Sequence, residues 1–244
     1  MTELINLLYL MYKKPKDSHT EMLHTFQITK KIIPFITKEN VKYICPRVGI
    51  TPLMIAFGQY GDRWQADSYV FHKMLDLDCN ESFSSRDNWT AAMVAFYKYG
   101  NHPKVDNKVL LRLLDKECDL TLAENSVFNS TNSTALIMAL SKYGSNPRCD
   151  YKVLLKLLDK DCNPGHSNRD GITALIVAFY IYSKNPNYNP KVILKLLDKD
   201  CNPQASTTPP ISTPTIWYAY ICLCSSKISS VNCKILKKNV SFIV

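Results

Sequence analysis

The chain has 244 residues, 46% hydrophobic and 21% charged, a balance that excludes global disorder and leaves room for one or two globular domains or one short array of repeats. Thirty Lys and Arg against 21 Asp and Glu give a formal charge of +9, which suits an acidic partner, a nucleic acid or an anionic membrane surface. No apolar run in the sequence approaches the ~20 residues that cross a bilayer. The start, MTELINLLYLMYKK, puts its lysines after the apolar run, the reverse of a secretory signal, so a cytoplasmic protein is expected.

In chain order, Leu4 to Tyr12 predicts a dense apolar helix, followed by KKPKD and a second helix ending around Ile32 to Ile36. Pro34 interrupts that second helix near its end, because proline removes a donor and crowds the preceding turn. Lysines 13, 14, 16, 30, 31, 38 and 42 crowd this region, and residues 1–46 read as N-terminal capping helices with a polar outer face. From Thr51 a pattern becomes regular: TPLMIAF (Thr51–Phe57) returns as TAAMVAF (Thr90–Phe96), TALIMAL (Thr134–Leu140) and TALIVAF (Thr173–Phe179). Each threonine is placed to cap a short helix through its hydroxyl, and alanine at the sixth position allows a close neighbour. The helices end at Tyr60, Tyr99, Tyr143 and Tyr182, tyrosines suited to packing the corner between helices; glycine follows the first three as a stop signal.

A polar loop then leads to Asp67, Asp106, Asp150 or Asn189, each a predicted cap for a second helix, with Pro190 at a tolerant first-turn position. The second helices carry one phrase four times: YVFHKMLDLDC (Tyr69–Cys79), KVLLRLLDKEC (Lys108–Cys118), KVLLKLLDKDC (Lys152–Cys162) and KVILKLLDKDC (Lys191–Cys201). Asp76, Asp115, Asp159 and Asp198 recur at steps of 39, 44 and 39 residues, which is the mark of a repeated supersecondary unit. These carboxylates are expected to be solvated or paired with the recurring lysines rather than catalytic. The recurring Cys79, Cys118, Cys162 and Cys201 are expected to be small buried thiols, since packed helices lie roughly 8–10 Å apart, too far for a shared metal or a disulfide. Cys222, Cys224 and Cys233 complete no zinc pattern, the histidines form no i, i+4 ligand pair, and no glycine-rich phosphate loop occurs. No catalytic residue, metal or cofactor is expected.

After LDKDC comes a polar run to R-D-N-W-T or R-D-G-I-T, a tight hairpin signal. The order of turn, short helix, loop, second helix and return resembles the ankyrin repeat, with its T-P-L-H-x-A start. Counting from Leu157, Gly171 is the fifteenth residue, and counting from Met74, Asn88 is also the fifteenth, where an ankyrin unit places its hairpin glycine. The resemblance implies an all-α fold, an ankyrin-like solenoid of stacked helix pairs with short hairpin turns. Four units would span 47–85, 86–129, 130–168 and 169–208, followed by a degenerate C-terminal cap or tail at 209–244. The sequence departs from the family in several places. Units of 39 to 44 residues exceed the usual ~33, the excess lying between the helices and, in one case, between Leu120 and Ser133. The family histidine is replaced by Met54, Met93, Ile137 and Ile176. The glycine after the second helix is replaced by Asp78, Glu117, Asp161 and Asp200, so the backbone there should differ.

The resemblance implies a non-enzymatic scaffold that binds an unidentified protein partner through hairpin tips and first helices, with the scaffold itself a monomer. On the tips, Arg47, Arg86 and Arg169 share one position, and Asp87 and Asp170 follow two of them. Arginine there could clamp a partner's carboxylates. Beside them, Ile50, Trp89, Ser133 and Ile172 share another, and Tyr97 and Tyr180 stand on the first helices. Trp89 with Tyr97 is the expected hot spot. The alternative is a basic electrostatic binder of nucleic acid or an anionic membrane surface. Near-identical units imply recent duplication, a habit of ankyrin families in intracellular parasites and large DNA viruses, which would place the protein in a host cytoplasm.

Overall fold

Four threonines open four helices in the same way. The hydroxyls of Thr51, Thr90, Thr134 and Thr173 accept from the amides of Met54, Met93, Ile137 and Ile176 at 3.3–3.4 Å. Each such cap satisfies an otherwise orphaned N–H and contributes about 1 kcal/mol. These are features of a computed structural model that describes residues 3–10, 24, 27–61, 66–125, 131–184 and 189–199. Expectations concerning residues 11–23, the linker at 126–130, the Tyr182 side chain, Cys201 and everything from 200 onward lie outside the described residues.

The described residues are all-α. Helix α1 is Glu3–Leu10, and a helical stretch at 27–32 runs into a 3-10 turn, Ile33–Phe35, in which Pro34 sits. A short α2, Lys38–Val41, follows, capped by Thr37. The capped first helices are α3 (Pro52–Ile55), α5 (Ala91–Val94), α7 (Ala135–Met138) and α9 (Ala174–Lys184). The second helices are α4 (Ser68–Leu75), α6 (Asn107–Leu114), α8 (Tyr151–Asp159) and α10 (Pro190–Leu197). Their caps are the expected ones: Asp67, Asp106, Asp150 and Asn189 each accept from the amide two residues on at 2.9 Å. Among the described residues only isolated bridges, Ser84–Thr90, Ala123–Thr134 and Ser167–Thr173, tie the hairpin bases.

The second helices bury an i, i+1, i+4, i+5 stripe: Val109, Leu110, Leu113 and Leu114 in α6, and Val153, Leu154, Leu157 and Leu158 in α8, with Leu197 of α10 only half-buried. Burying such a side chain contributes about 1.5–3 kcal/mol, so this stripe dominates helix placement. Helix α6 packs against α4 on one side and α8 on the other, and α8 in turn against α10. At the N-terminal end α1 lies on α3.

Helices α3, α5 and α7 do not stop where the α pattern ends. They widen into single π turns, Ala56–Tyr60, Ala95–Tyr99 and Ala139–Tyr143, closed by amides reaching back five residues, for instance Gly100 N to Ala95 O at 2.7 Å. The glycines after the tyrosines act differently from the expected stop signal. Gly61, Gly100 and Gly144 keep right-handed φ values of −65°, −63° and −60°. What they supply is room. A Cβ on Gly61 would sit 3.1 Å from Tyr99 Cβ, and one on Gly100 would sit 3.0 Å from Tyr143 Cβ. Gly61 and Gly100 therefore admit the tyrosine of the next copy, whereas a Cβ on Gly144 would meet the backbone of Leu140.

Those tyrosines are corner residues, as expected, with a more specific task. The Tyr60, Tyr99 and Tyr143 hydroxyls accept the amides of Asp67, Asp106 and Asp150, at 2.7, 3.0 and 2.8 Å. Each clamps the end of a first helix to the cap of its second helix. Burial pushes all three phenols above their ordinary range. The expected change of backbone after the second helix is present in two copies, displaced by two residues, and the copy with Glu117 has no left-handed residue there. The left-handed residues are Asn80 and Asn163, at φ 56° and 49°, just past the cysteine rather than at Asp78 or Asp161. Asparagine tolerates that region because its short amide bonds locally. Cys79 and Cys162 are fully buried as expected, whereas Cys118 is only partly covered.

Candidate interaction surface

The hairpin tips are built on one left-handed residue apiece. Gly49, Asn88, Asn132 and Gly171 have φ of 66°, 59°, 55° and 71°, the glycine-type position read from the spacing. The turns close locally through Cys45 N to Ile50 O, Ser85 N to Trp89 O and Asn168 N to Ile172 O, at 3.0, 2.8 and 3.0 Å. They also bond to one another: Arg86 N to Val48 O at 3.3 Å, Asn125 N to Asp87 O at 2.8 Å, and Arg169 N to Thr131 O at 2.9 Å. This backbone line fixes the tip side chains relative to each other.

Arg47, Arg86, Asp87, Arg169 and Asp170 are all exposed on the tips. Two of the arginines are partly committed within the chain, since Arg86 Nη2 donates to Pro46 O at 2.9 Å and Arg169 Nη2 to Asn125 Oδ1 at 3.4 Å. Ile50, Trp89 and Ile172 are half-buried against the core, and Ser133 is buried, so this row is a shelf at the base of the tips rather than a protruding edge.

Trp89 and Tyr97 do come together. Their centroids are 5.9 Å apart at 67°, an edge contact, with Tyr97 37% exposed. Spacing did not suggest the cations around them: Lys98 Nζ and Lys142 Nζ each lie 5.4 Å from the Tyr97 centroid. Tyr180, two copies away, has Lys184 Nζ 4.5 Å from its own centroid. In register, the Tyr97 position holds Gly58, Tyr97, Ser141 and Tyr180, and the next holds Gln59, Lys98, Lys142 and Ile181. A signal was present in that row, two lysines at one position of adjacent copies.

The second helices carry charge of another kind. Arg112 pairs with Asp76, Lys156 with Asp115 and Lys195 with Asp159, each cation reaching the carboxylate of the preceding copy. Lys42 pairs with Asp78 and holds its carboxyl below the usual range, and Lys116 meets Glu81 at 3.2 Å. Three of the recurring carboxylates, Asp76, Asp115 and Asp159, are therefore paired with cations of the following copy. Burial pushes the Cys118 and Cys149 thiols up to about 12 and Cys162 to about 11, so all three are neutral near pH 7. Among the described residues no three of His, Cys, Asp and Glu gather as metal ligands, and no helix is long and apolar enough to cross a membrane.

Compared with known proteins, the chain matches no protein-family model and no curated sequence.

Proposed function

We propose that the chain is a non-enzymatic protein-binding scaffold. Its four ankyrin-like units stack as helix pairs and grip an unidentified protein partner through the hairpin tips and the first-helix face. The supporting observation is the Trp89–Tyr97 edge pair, a half-covered aromatic cluster with Lys98 and Lys142 each 5.4 Å from the Tyr97 centroid, in the same hairpin-and-helix segment as the exposed Arg86 and Asp87. Aromatics and arginines of this sort carry most of the energy of protein interfaces. Backbone bonds between tips support the stacking, because they recur between copies at matching positions. The fifteenth-residue turn position supports the likeness to ankyrin units.

Electrostatic binding of nucleic acid or an anionic membrane has less behind it. The second-helix cations Arg112, Lys156 and Lys195 are committed to carboxylates of the chain itself, which leaves no uninterrupted basic track there. The test is cross-linking capture with the tagged full chain and its Arg86→Ala/Trp89→Ala double variant, their folding matched by circular dichroism. Proteins captured by the native chain should fall at least tenfold with the double variant, the scale of a hot-spot loss. Retention of the same proteins at the same level removes the proposed face from the interface.

A further inference from the structure

The four first-helix segments, 51–61, 90–100, 134–144 and 173–184, contain Lys98, Lys142 and Lys184 and not one Asp or Glu. The contrast with the second helices is chemical. There, Arg112, Lys156 and Lys195 each meet a carboxylate, whereas Lys98 and Lys142 have none among the described residues. Their ammonium groups approach the Tyr97 ring instead, at 5.4 Å each, so they are no further apart than twice that distance.

We infer that the strip formed by Tyr97, Lys98 and Lys142 takes an extended acidic segment of a partner protein, with two carboxylates two residues apart reaching the two ammonium groups. This deepens the scaffold proposal and rests on it. An extended chain advances ~3.3 Å per residue and alternates its faces, so carboxylates two residues apart share a face at a separation inside the upper bound for the two lysines. The positions equivalent to Tyr97 in the neighbouring copies hold Gly58 and Ser141, both half-buried, so no large side chain of that row flanks the strip. The ammonium groups can take carboxylates while remaining over the ring, and the ring's electron density offsets part of their desolvation. A nucleic acid fits less well. Base stacking needs an open aromatic face, and Tyr97 is approached by two cations and holds Trp89 at its edge.

The experiment is selection of a displayed random heptapeptide library on the immobilised full chain. Recovered peptides are then measured by fluorescence anisotropy against the native protein, Lys98→Gln/Lys142→Gln, and Trp89→Ala. The expected result is enrichment of Asp or Glu at i, i+2, with binding weakened about tenfold by the lysine pair of changes. Peptides that depend on Trp89 but are neither acidic nor weakened by the lysine changes overturn the acidic occupant and leave the scaffold standing. Peptides indifferent to both sets of changes overturn both. Labelled oligo-dT or phosphatidylserine vesicles binding more tightly than any peptide, and losing that binding on Lys98→Gln/Lys142→Gln, would assign the strip to phosphate and overturn it as well.

Discussion

The second-helix side of the molecule and the first-helix side treat the same amino acids in opposite ways. On the second helices lysine or arginine recurs in register and meets an aspartate of the preceding copy, so the charge is used up within the chain. On the first helices the lysines of the second and third copies stand over Tyr97 with no acid in the segment. The residues that repeat build each copy or join it to the next: threonine caps and corner tyrosines within a copy, cation–aspartate pairs between copies. The residues that do not repeat, such as Gly58, Tyr97, Ser141 and Tyr180 at one position, are not needed for that task. Positions with no part in that task can vary at little cost to the fold.

Substitutions on the repeating side should cost stability and leave binding intact. The largest effect is expected from Gly100→Ala. Its Cβ would lie 2.9 Å from Phe96 O and 3.0 Å from Tyr143 Cβ, so the π turn or the neighbouring ring must move. A loss of about 2–3 kcal/mol in urea unfolding is expected. Ser183→Ala, where the fourth copy already carries a Cβ and α9 runs on as an ordinary helix, should stay within about 0.5 kcal/mol. Equal costs at both sites would end the claim that glycine is there for its neighbour. Next comes Tyr143→Phe, which strands the Asp150 amide held at 2.8 Å and the Asn107 Oδ1 held at 2.8 Å. About 1–2 kcal/mol should be lost, with peptide binding unchanged. The smallest effect belongs to Lys156→Ala. Its pair with Asp115 is solvent-exposed, so thermal unfolding at low and high salt should show a loss below about 1 kcal/mol that fades as salt rises.

Local chemistry carried the legible part of this fold. Thr51, Thr90, Thr134 and Thr173 cap as expected, as do Asp67, Asp106, Asp150 and Asn189, because a cap needs only residues within one turn. The left-handed turn residues Asn88 and Gly171 were equally plain. The π turns were not, because the segments AFGQY, AFYKY and ALSKY carry no local signal that sets a π turn apart from an α turn. The left-handed asparagines lie two residues past the expected aspartates because the turn forms after the cysteine, with Phe83 N bonding Asn80 O and His166 N bonding Asn163 O. For the surface, Trp89 and Tyr97 could be named from the residues, but not the pairing of Lys142 with Tyr97. That contact depends on the lateral offset between two copies, which neither copy states alone.

The bonds between copies also have a direction. Arg112, Lys156 and Lys195 reach back to Asp76, Asp115 and Asp159, and Arg86 N, Asn125 N and Arg169 N reach back to carbonyls of the preceding tip. With exceptions such as Lys42 and Asp78, the donor is the later residue and the acceptor the earlier one. On a ribosome, each emerging segment therefore meets acceptors that are already in place and can settle without waiting for the rest of the polypeptide. The nascent protein can zip from its amino end, and its leading edge at any moment shows carboxylates and carbonyls.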